Sequence, residues 1–212
     1  MHKIIVFTIL ASVTSSLHAQ EQSPQETPIY IPEENSIGLI KHGKLAVFDQ
    51  VTDNCWTNSS SIQSKIHLIF EQNNISVIDY QPAFYNYQTV YAVISAFGYR
   101  TKNGLCAVSA NFGVNTYVSM TLGGWQGRQT FSTEYNATLF QGSYLATSGG
   151  NVNDQLDDFL VGEASKFVAS VLSSRRDSKV GQYWETYPPN GDPPMSREEF
   201  QEILSQRSSK SE

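Results

Sequence analysis

The residues that could carry chemistry are few. Two histidines, His42 and His67, lie outside the first twenty positions, and three aspartates, Asp49, Asp53 and Asp79, fall near the ends of apolar runs. The chain contains no HExxH, GxSxG, GxxxxGK[ST] or GxGxxG pattern, so the common zinc-hydrolase, serine-hydrolase, phosphate-loop and dinucleotide signatures are missing. A zinc site would need two or three further strong ligands at workable spacing. The expectation is no metal, no cofactor and no catalytic set. Two of the aspartates could form a carboxylate pair for glycoside hydrolysis, but capping and turn hydrogen bonding is the ordinary use of Asp at such positions. Cys55 and Cys106 are the only cysteines. In an exported protein the default is one disulfide, closing a loop of about 50 residues. The rival is a reactive thiol at Cys55, placed where a helix N-terminus would lower its pKa.

Aromatic residues offer better binding candidates than the titratable ones. Tyr80, Phe84, Tyr85 and Tyr87 share one loop, and Trp125 sits in a glycine-rich turn. Exposed loop aromatics suit glycan, small-ligand or protein contact. A second group lies near the C-terminus, with Tyr183, Trp184 and Tyr187 just before Pro188-Pro189. Beyond them Ser196 and Glu199 make a capping box, followed by Phe200, Ile203 and Leu204 at helical spacing. That is the pattern of a short helix laid into a partner's groove.

The elements that must position these groups are legible as periodicities. KLAVFDQV, within Ile37 to Val51, is a strand with apolar residues on both faces. Thr57 or Asn58 caps a helix to about Asn73, with Ile62, Ile66, Ile69 and Phe70 as its stripe and Asn73-Asn74 as its stop. Ile75 to Asp79 is a short strand, and Thr89 to Tyr99 is a strand apolar on both sides. Asn103-Gly104 turns the chain into Leu105 to Met120, which alternates cleanly: Cys106, Val108, Ala110, Phe112 and Val114 against Ser109, Asn111, Asn115 and Tyr117. Gln129 to Leu139 alternates again, and a Gly/Ser-rich loop fills 141–150. From Val152 to Arg175, apolar residues at 152, 156, 159, 160, 164, 167, 168, 171 and 172 make a wide helical stripe, with Asn151 or Asn153 as cap. The order β-α-β-β-β-β-α predicts an α+β, two-layer domain: an antiparallel sheet with both helices on one face. The Ser/Thr/Asn-rich opposite face is either solvated or packed on a neighbouring subunit.

Composition frames this domain. Residues 1–19 read as a signal peptide: Lys3, a short apolar run, and Leu17-His18-Ala19 as cleavage site. Residues 20–36 read as a disordered leader, 37–175 as the domain, and 176–212 as a Pro/aromatic tail with a short C-terminal helix. The core, 37–175, carries nine acidic and eight basic residues. Near-neutrality without a basic stripe argues against nucleic acid or anionic lipid as partner. No integral membrane segment is expected in the mature chain.

Cys55, Thr57-Asn58 opening a helix, Cys106 in a hairpin and Val152-Asn153-Asp154 opening a closing helix resemble a pattern in small exported bacterial proteins of unknown function. The resemblance implies a fold and no activity. The layout is also similar to accessory domains of bacterial envelope assemblies, although the lipid-anchor cysteine of their lipoprotein members is missing. The resulting expectation is a non-enzymatic periplasmic or secreted protein, an accessory or structural subunit of a cell-envelope complex. It would meet its protein partner through Tyr183, Trp184, Tyr187, Phe200, Ile203 and Leu204. The alternative is a small-ligand or glycan module using Tyr80, Phe84, Tyr85, Tyr87 and Trp125.

Overall fold

A strand–helix–strand connection returns the chain to the end of the sheet it left, so the strands it joins run parallel. That constraint organises the first half of the protein. The computed structural model describes residues 31–80, 88–122, 131–186 and 195–208. A single helical turn, α1 (Glu33–Ser36), and a 3-10 turn, Ile37–Leu39, lead into β1 (His42–Val51). The helix α2 (Ser59–Gln72) carries the chain back to β2 (Ser76–Val77). Then come β3 (Thr89–Arg100), β4 (Cys106–Leu122), β5 (Phe131–Ser148) and the long helix α3 (Asn153–Ser174). The tail adds α4 (Ser178–Thr186) and α5 (Arg197–Ser208).

The strands form one five-stranded mixed sheet in the order β2-β1-β3-β4-β5. The expected α+β class stands, but the expected antiparallel sheet is corrected: β1 runs parallel to both β2 and β3, and only β3-β4-β5 is an antiparallel meander. The signal was in the sequence. Strands apolar on both faces, as β1 and β3 are, belong to parallel pairing more often than to a half-solvated meander.

Two boundaries also move. Residues 37–41 are not strand, because Gly38 and Leu39 turn inward and are buried. Gly38 lies so close to the end of α3 that an added Cβ would come within 2.9 Å of the Ser174 carbonyl carbon. At the other edge, 141–148 is strand rather than loop, since β5 runs on to Ser148 opposite Cys106. A bulge explains the misreading. Val114 faces Phe140 but Asn115 faces Thr138, so Leu139 is an extra residue and the alternation changes phase there.

One face of the sheet holds the core. Val90, Ala92, Ile94 and Ala96 of β3 and Val108, Ala110, Phe112 and Val114 of β4 are buried, with Leu45, Val47 and Val51 of β1 packed beside them. Ile62, Ile66 and Phe70 of α2 and Leu156, Leu160, Ala164, Phe167, Val168 and Val171 of α3 cover them. Phe167 touches both sides of this seam. Its ring lies 5.8 Å from Phe70 and 6.0 Å from Phe140, which in turn lies 6.2 Å from Phe112. Such tilted and edge-on contacts add to the area they bury. Phe159 is only half-buried; it stacks on Tyr144 at 5.2 Å on the rim.

Each end of the sheet is tied. At the end where β1 finishes, Cys55 and Cys106 form a disulfide with Cα atoms 5.5 Å apart. Beside it Val152 N–H donates to the Cys55 carbonyl at 2.9 Å. The Asn153 side chain accepts from Thr57 N–H and donates to Thr57 Oγ1, each at 2.9 Å. The N-termini of α2 and α3 are thus joined to each other. The N-caps themselves are Asn58 and Val152, and neither makes a side-chain capping bond. At the opposite end α2 stops as Asn73-Asn74 led one to expect. Asn74 adopts φ 57°, Asn74 N–H donates to Glu71 O at 3.2 Å, and Ile75 N–H donates to Phe70 O at 3.0 Å. These are the paired bonds of a Schellman ending.

Two stability measurements check this arrangement. Phe167→Ala should lower unfolding free energy by about 3–5 kcal/mol, as for other large buried aromatics. A loss under about 1 kcal/mol would show that the helix stripe packs elsewhere. Replacing both cysteines by alanine should lower it by about 2–4 kcal/mol for a closed loop of this size, and intact-mass analysis with alkylation before and after reduction should detect thiols only after reduction.

Candidate functional site

Two surfaces stand out once the core is accounted for. The first is a cleft of ≈ 490 Å³ at the end of the sheet where β1 begins. Five segments meet there. Lys41 and His42 come from the start of β1, and Ser76 from β2, held in register by Ser76 N–H donating to Lys41 O at 2.8 Å. Asn74 and Glu71 come from the end of α2, Arg175 from the end of α3, and Trp184 from α4.

Arg175 is the fixed point of the cleft. Its Nη1 donates to Asn73 O at 2.9 Å, and its Nη2 donates to Ile40 O at 2.7 Å and Asn74 O at 3.1 Å. A cation at a helix C-terminus satisfies the carbonyls left over there. Lys41 is different. Its Nζ sits 4.8 Å from the centre of the Trp184 ring, a cation–π contact. Among the described residues no carboxylate pairs with it. Burial, and then the Arg175 charge, lower the Lys41 pKa. Burial, and then the Lys41 charge, lower that of His42, and the His42 Nδ1 is buried without a hydrogen-bond partner. Burial lowers the Arg175 pKa as well.

The second surface is the open face of the sheet. Register places its side chains in rows: Gln50, Phe97, Ser109 and Leu145; Phe48, Ser95, Asn111 and Ser143; Lys44, Tyr91, Asn115 and Thr138. Phe48 is 57 % exposed, Phe97 62 %, Tyr99 52 % and Leu145 67 %. Ser143 Oγ donates to Asn111 Oδ1 at 2.6 Å and Thr138 Oγ1 to Asn115 Oδ1 at 2.9 Å, forming a hydrogen-bonded polar ladder beside the aromatic rows. Tyr91 and Tyr117 meet edge-on at 5.4 Å across the same face. Lys44 is the only charged side chain among the described residues of these rows.

The residues singled out from sequence fall in different places. Asp49 accepts from Val51 N–H at 3.0 Å, and Asp53 accepts from Thr52 Oγ1 at 3.1 Å and Arg100 N–H at 3.2 Å. These are turn and end-of-strand bonds. Asp79 follows β2, which pairs with the opposite end of β1, so it does not join them. His67 stands exposed, 3.7 Å from Glu71. Among the described residues no three His, Cys, Asp or Glu side chains gather into a metal-binding group. Phe84, Tyr85, Trp125 and Tyr187 lie outside the described residues, as do Tyr87 and the rest of that loop. Tyr80 is half-buried; burial, and then the Glu199 carboxylate, raise its pKa.

The Ser196 capping box is present: Ser196 N–H donates to Glu199 Oε2 at 2.8 Å, and Glu199 N–H to Ser196 Oγ at 3.1 Å. These bonds hold the Glu199 pKa below its usual value. Phe200 and Ile203 are half-buried. Tyr183 and Trp184 sit on a helix that the sequence reading did not anticipate. Asp177 caps it, accepting from Lys179 N–H at 2.8 Å, and Val180 is fully buried. Asp177-Ser178 was the available cap signal, obscured by the polar composition around it. The cleft itself was missed because its residues are scattered along the chain from 41 to 184.

The His42 environment makes a pH prediction. A histidine whose folded pKa is lowered binds fewer protons than in the unfolded chain, so stability rises with pH in this window. The contribution is present above the unfolded value, about 6.5, and is lost as pH falls through it toward the folded pKa. Lys41, Arg175 and Glu71 are the charged groups around it. Melting temperature should therefore fall between about pH 7.5 and about pH 5.5, and His42→Gln should reduce that fall. An equal fall in the variant would assign it to other groups.

No protein-family model matches the chain, and no curated protein matches it, so any functional reading rests on these two surfaces and the sequence.

Proposed function

We propose that the protein is an exported, non-enzymatic accessory subunit of a cell-envelope complex, and that it docks on a protein partner with the open face of its sheet. One observation carries the reading. The solvated face of a sheet ordinarily bears several charges, whereas the rows of this one present Phe48, Phe97 and Leu145, with Tyr99 beside them, around an uncharged Ser/Asn ladder and carry one charge, Lys44. Depletion of charge with enrichment of aromatics is the composition of an interface centre. The partner's matching surface would then be mainly apolar.

Export is supported by the pattern of residues 1–19 and by the disulfide. No helix among the described residues is long and apolar enough to cross a membrane. The C-terminal segment supplies the secondary contact in this reading. Since Val180 is buried and Trp184 covers Lys41, α4 packs on the domain, and in this reading α5 is the portion offered to the partner.

The test is co-purification from native envelopes. Phe48→Ser combined with Phe97→Ser should leave stability within about 1 kcal/mol, as exposed substitutions do, and abolish association with the complex. Retained association would overturn the reading, and so would loss of a homodimer alone, which would make the face a self-contact. Truncation after Thr186 should weaken association while preserving melting temperature; a large thermal loss instead would place α5 in the protein's own fold.

A further inference from the structure

Lys41 lines the cleft beside Arg175. Its ammonium is partly desolvated beside a second cation, and its one described side-chain contact is the Trp184 ring. An ammonium carries three donors, and none of them meets a hydrogen-bond acceptor among the described side chains. Across the same cleft His42 leaves Nδ1 buried and unpartnered. The negative groups nearby are already engaged. Arg175 takes the carbonyls of Ile40, Asn73 and Asn74, and Glu71 accepts from Val77 N–H at 2.6 Å and faces His67.

We infer that this cleft is a binding site for a small molecule bearing an anionic oxygen group, carboxylate or phosphate, which is received by Lys41 and His42 in the field of Arg175 with Trp184 as apolar wall. The volume of ≈ 490 Å³ falls within the range of small-ligand sites. Arg175 is preorganised, because its three carbonyl bonds fix the guanidinium before a ligand arrives. The anion neutralises two like charges that repel each other in its absence, and Ser76 and Asn74 are polar groups on the same wall. This site is separate from the open sheet face, so either assignment can fail without the other.

The experiment follows the His42 imidazole signal by NMR in the full mature protein at constant ionic strength. Inorganic phosphate and benzoate are titrated separately, with sodium chloride as control. A saturable shift with at least one of them below about 10 mM, accompanied by a rise in His42 pKa, is the expected result. Saturation by phosphate alone identifies a phosphate-type group; saturation by benzoate alone identifies a carboxylate on a planar body resting against Trp184. Lys41→Gln, at a position that makes no side-chain hydrogen bond to the described residues, should weaken binding at least tenfold without lowering the melting temperature. No saturation by either anion, a response equal to that with chloride, or unchanged affinity in Lys41→Gln would overturn the inference.

Discussion

Phe167 is the residue through which the two halves of the fold are joined. The helix crossover that makes β1 and β2 parallel puts α2 on one face of the sheet, and the meander that follows needs cover on that same face. The ring of Phe167 meets Phe70 on α2 and Phe140 on β5, and through Phe140 reaches Phe112 on β4. A parallel crossover and an antiparallel meander share one core because a single side chain of α3 spans both. The cost of placing so large a ring at one point is that its neighbours must be in register. That requirement gives the bulge at Leu139 a structural purpose. Without the phase change, Phe140 would point to the open face, and Phe167 would lose its contact with it.

The ends of α3 are held by different chemistry. At its start, a disulfide and the reciprocal Thr57–Asn153 bonds secure it to the loop before α2. At its end, Arg175 draws in the finish of α2 and Ile40, two residues before β1. The first is a covalent constraint acting mainly on the unfolded chain. The second acts on the folded state, through charge-assisted bonds to carbonyls that would otherwise be left over. Together they fix the helix along its whole length, and both surfaces described above inherit their rigidity from it.

What could be read from the sequence followed what is local. The stripes of α2 and α3, the Asn73-Asn74 stop, the Asn103-Gly104 turn and the Ser196–Glu199 box depend on residues within a few positions of one another, and each is present. Gly104 alone takes the positive φ of its turn, at 81°. Strand direction was misjudged because alternation describes faces and says nothing about direction. The apolar character of both sides of β1 and β3 was the only hint of parallel pairing. The run 141–148 was taken for a loop because Gly142 and Ser143 have turn-like composition, although they sit opposite Phe112 and Asn111 in a long ladder. The cleft was invisible for a stricter reason. Lys41, Ser76, Arg175 and Trp184 share no spacing, and only the completed sheet and both helix ends bring them together.

Arg175 and Lys41 make an instructive pair, since they are neighbouring cations in the same partly buried place. The position of Arg175 has a full structural account: three carbonyls at the end of α2 and before β1 need donors, and its planar fork supplies them. Lys41 has no such account. Its backbone is tied to Gln88 and Ser76, a task any residue with a backbone N–H and carbonyl could perform. Among the described residues its ammonium has one side-chain contact, with Trp184, and it stands in the repulsive field of Arg175. A neutral side chain of similar length would pack against Trp184 without that repulsion. Among the described residues the Lys41 charge thus has one favourable side-chain contact, the Trp184 ring, and one opposing neighbour, Arg175.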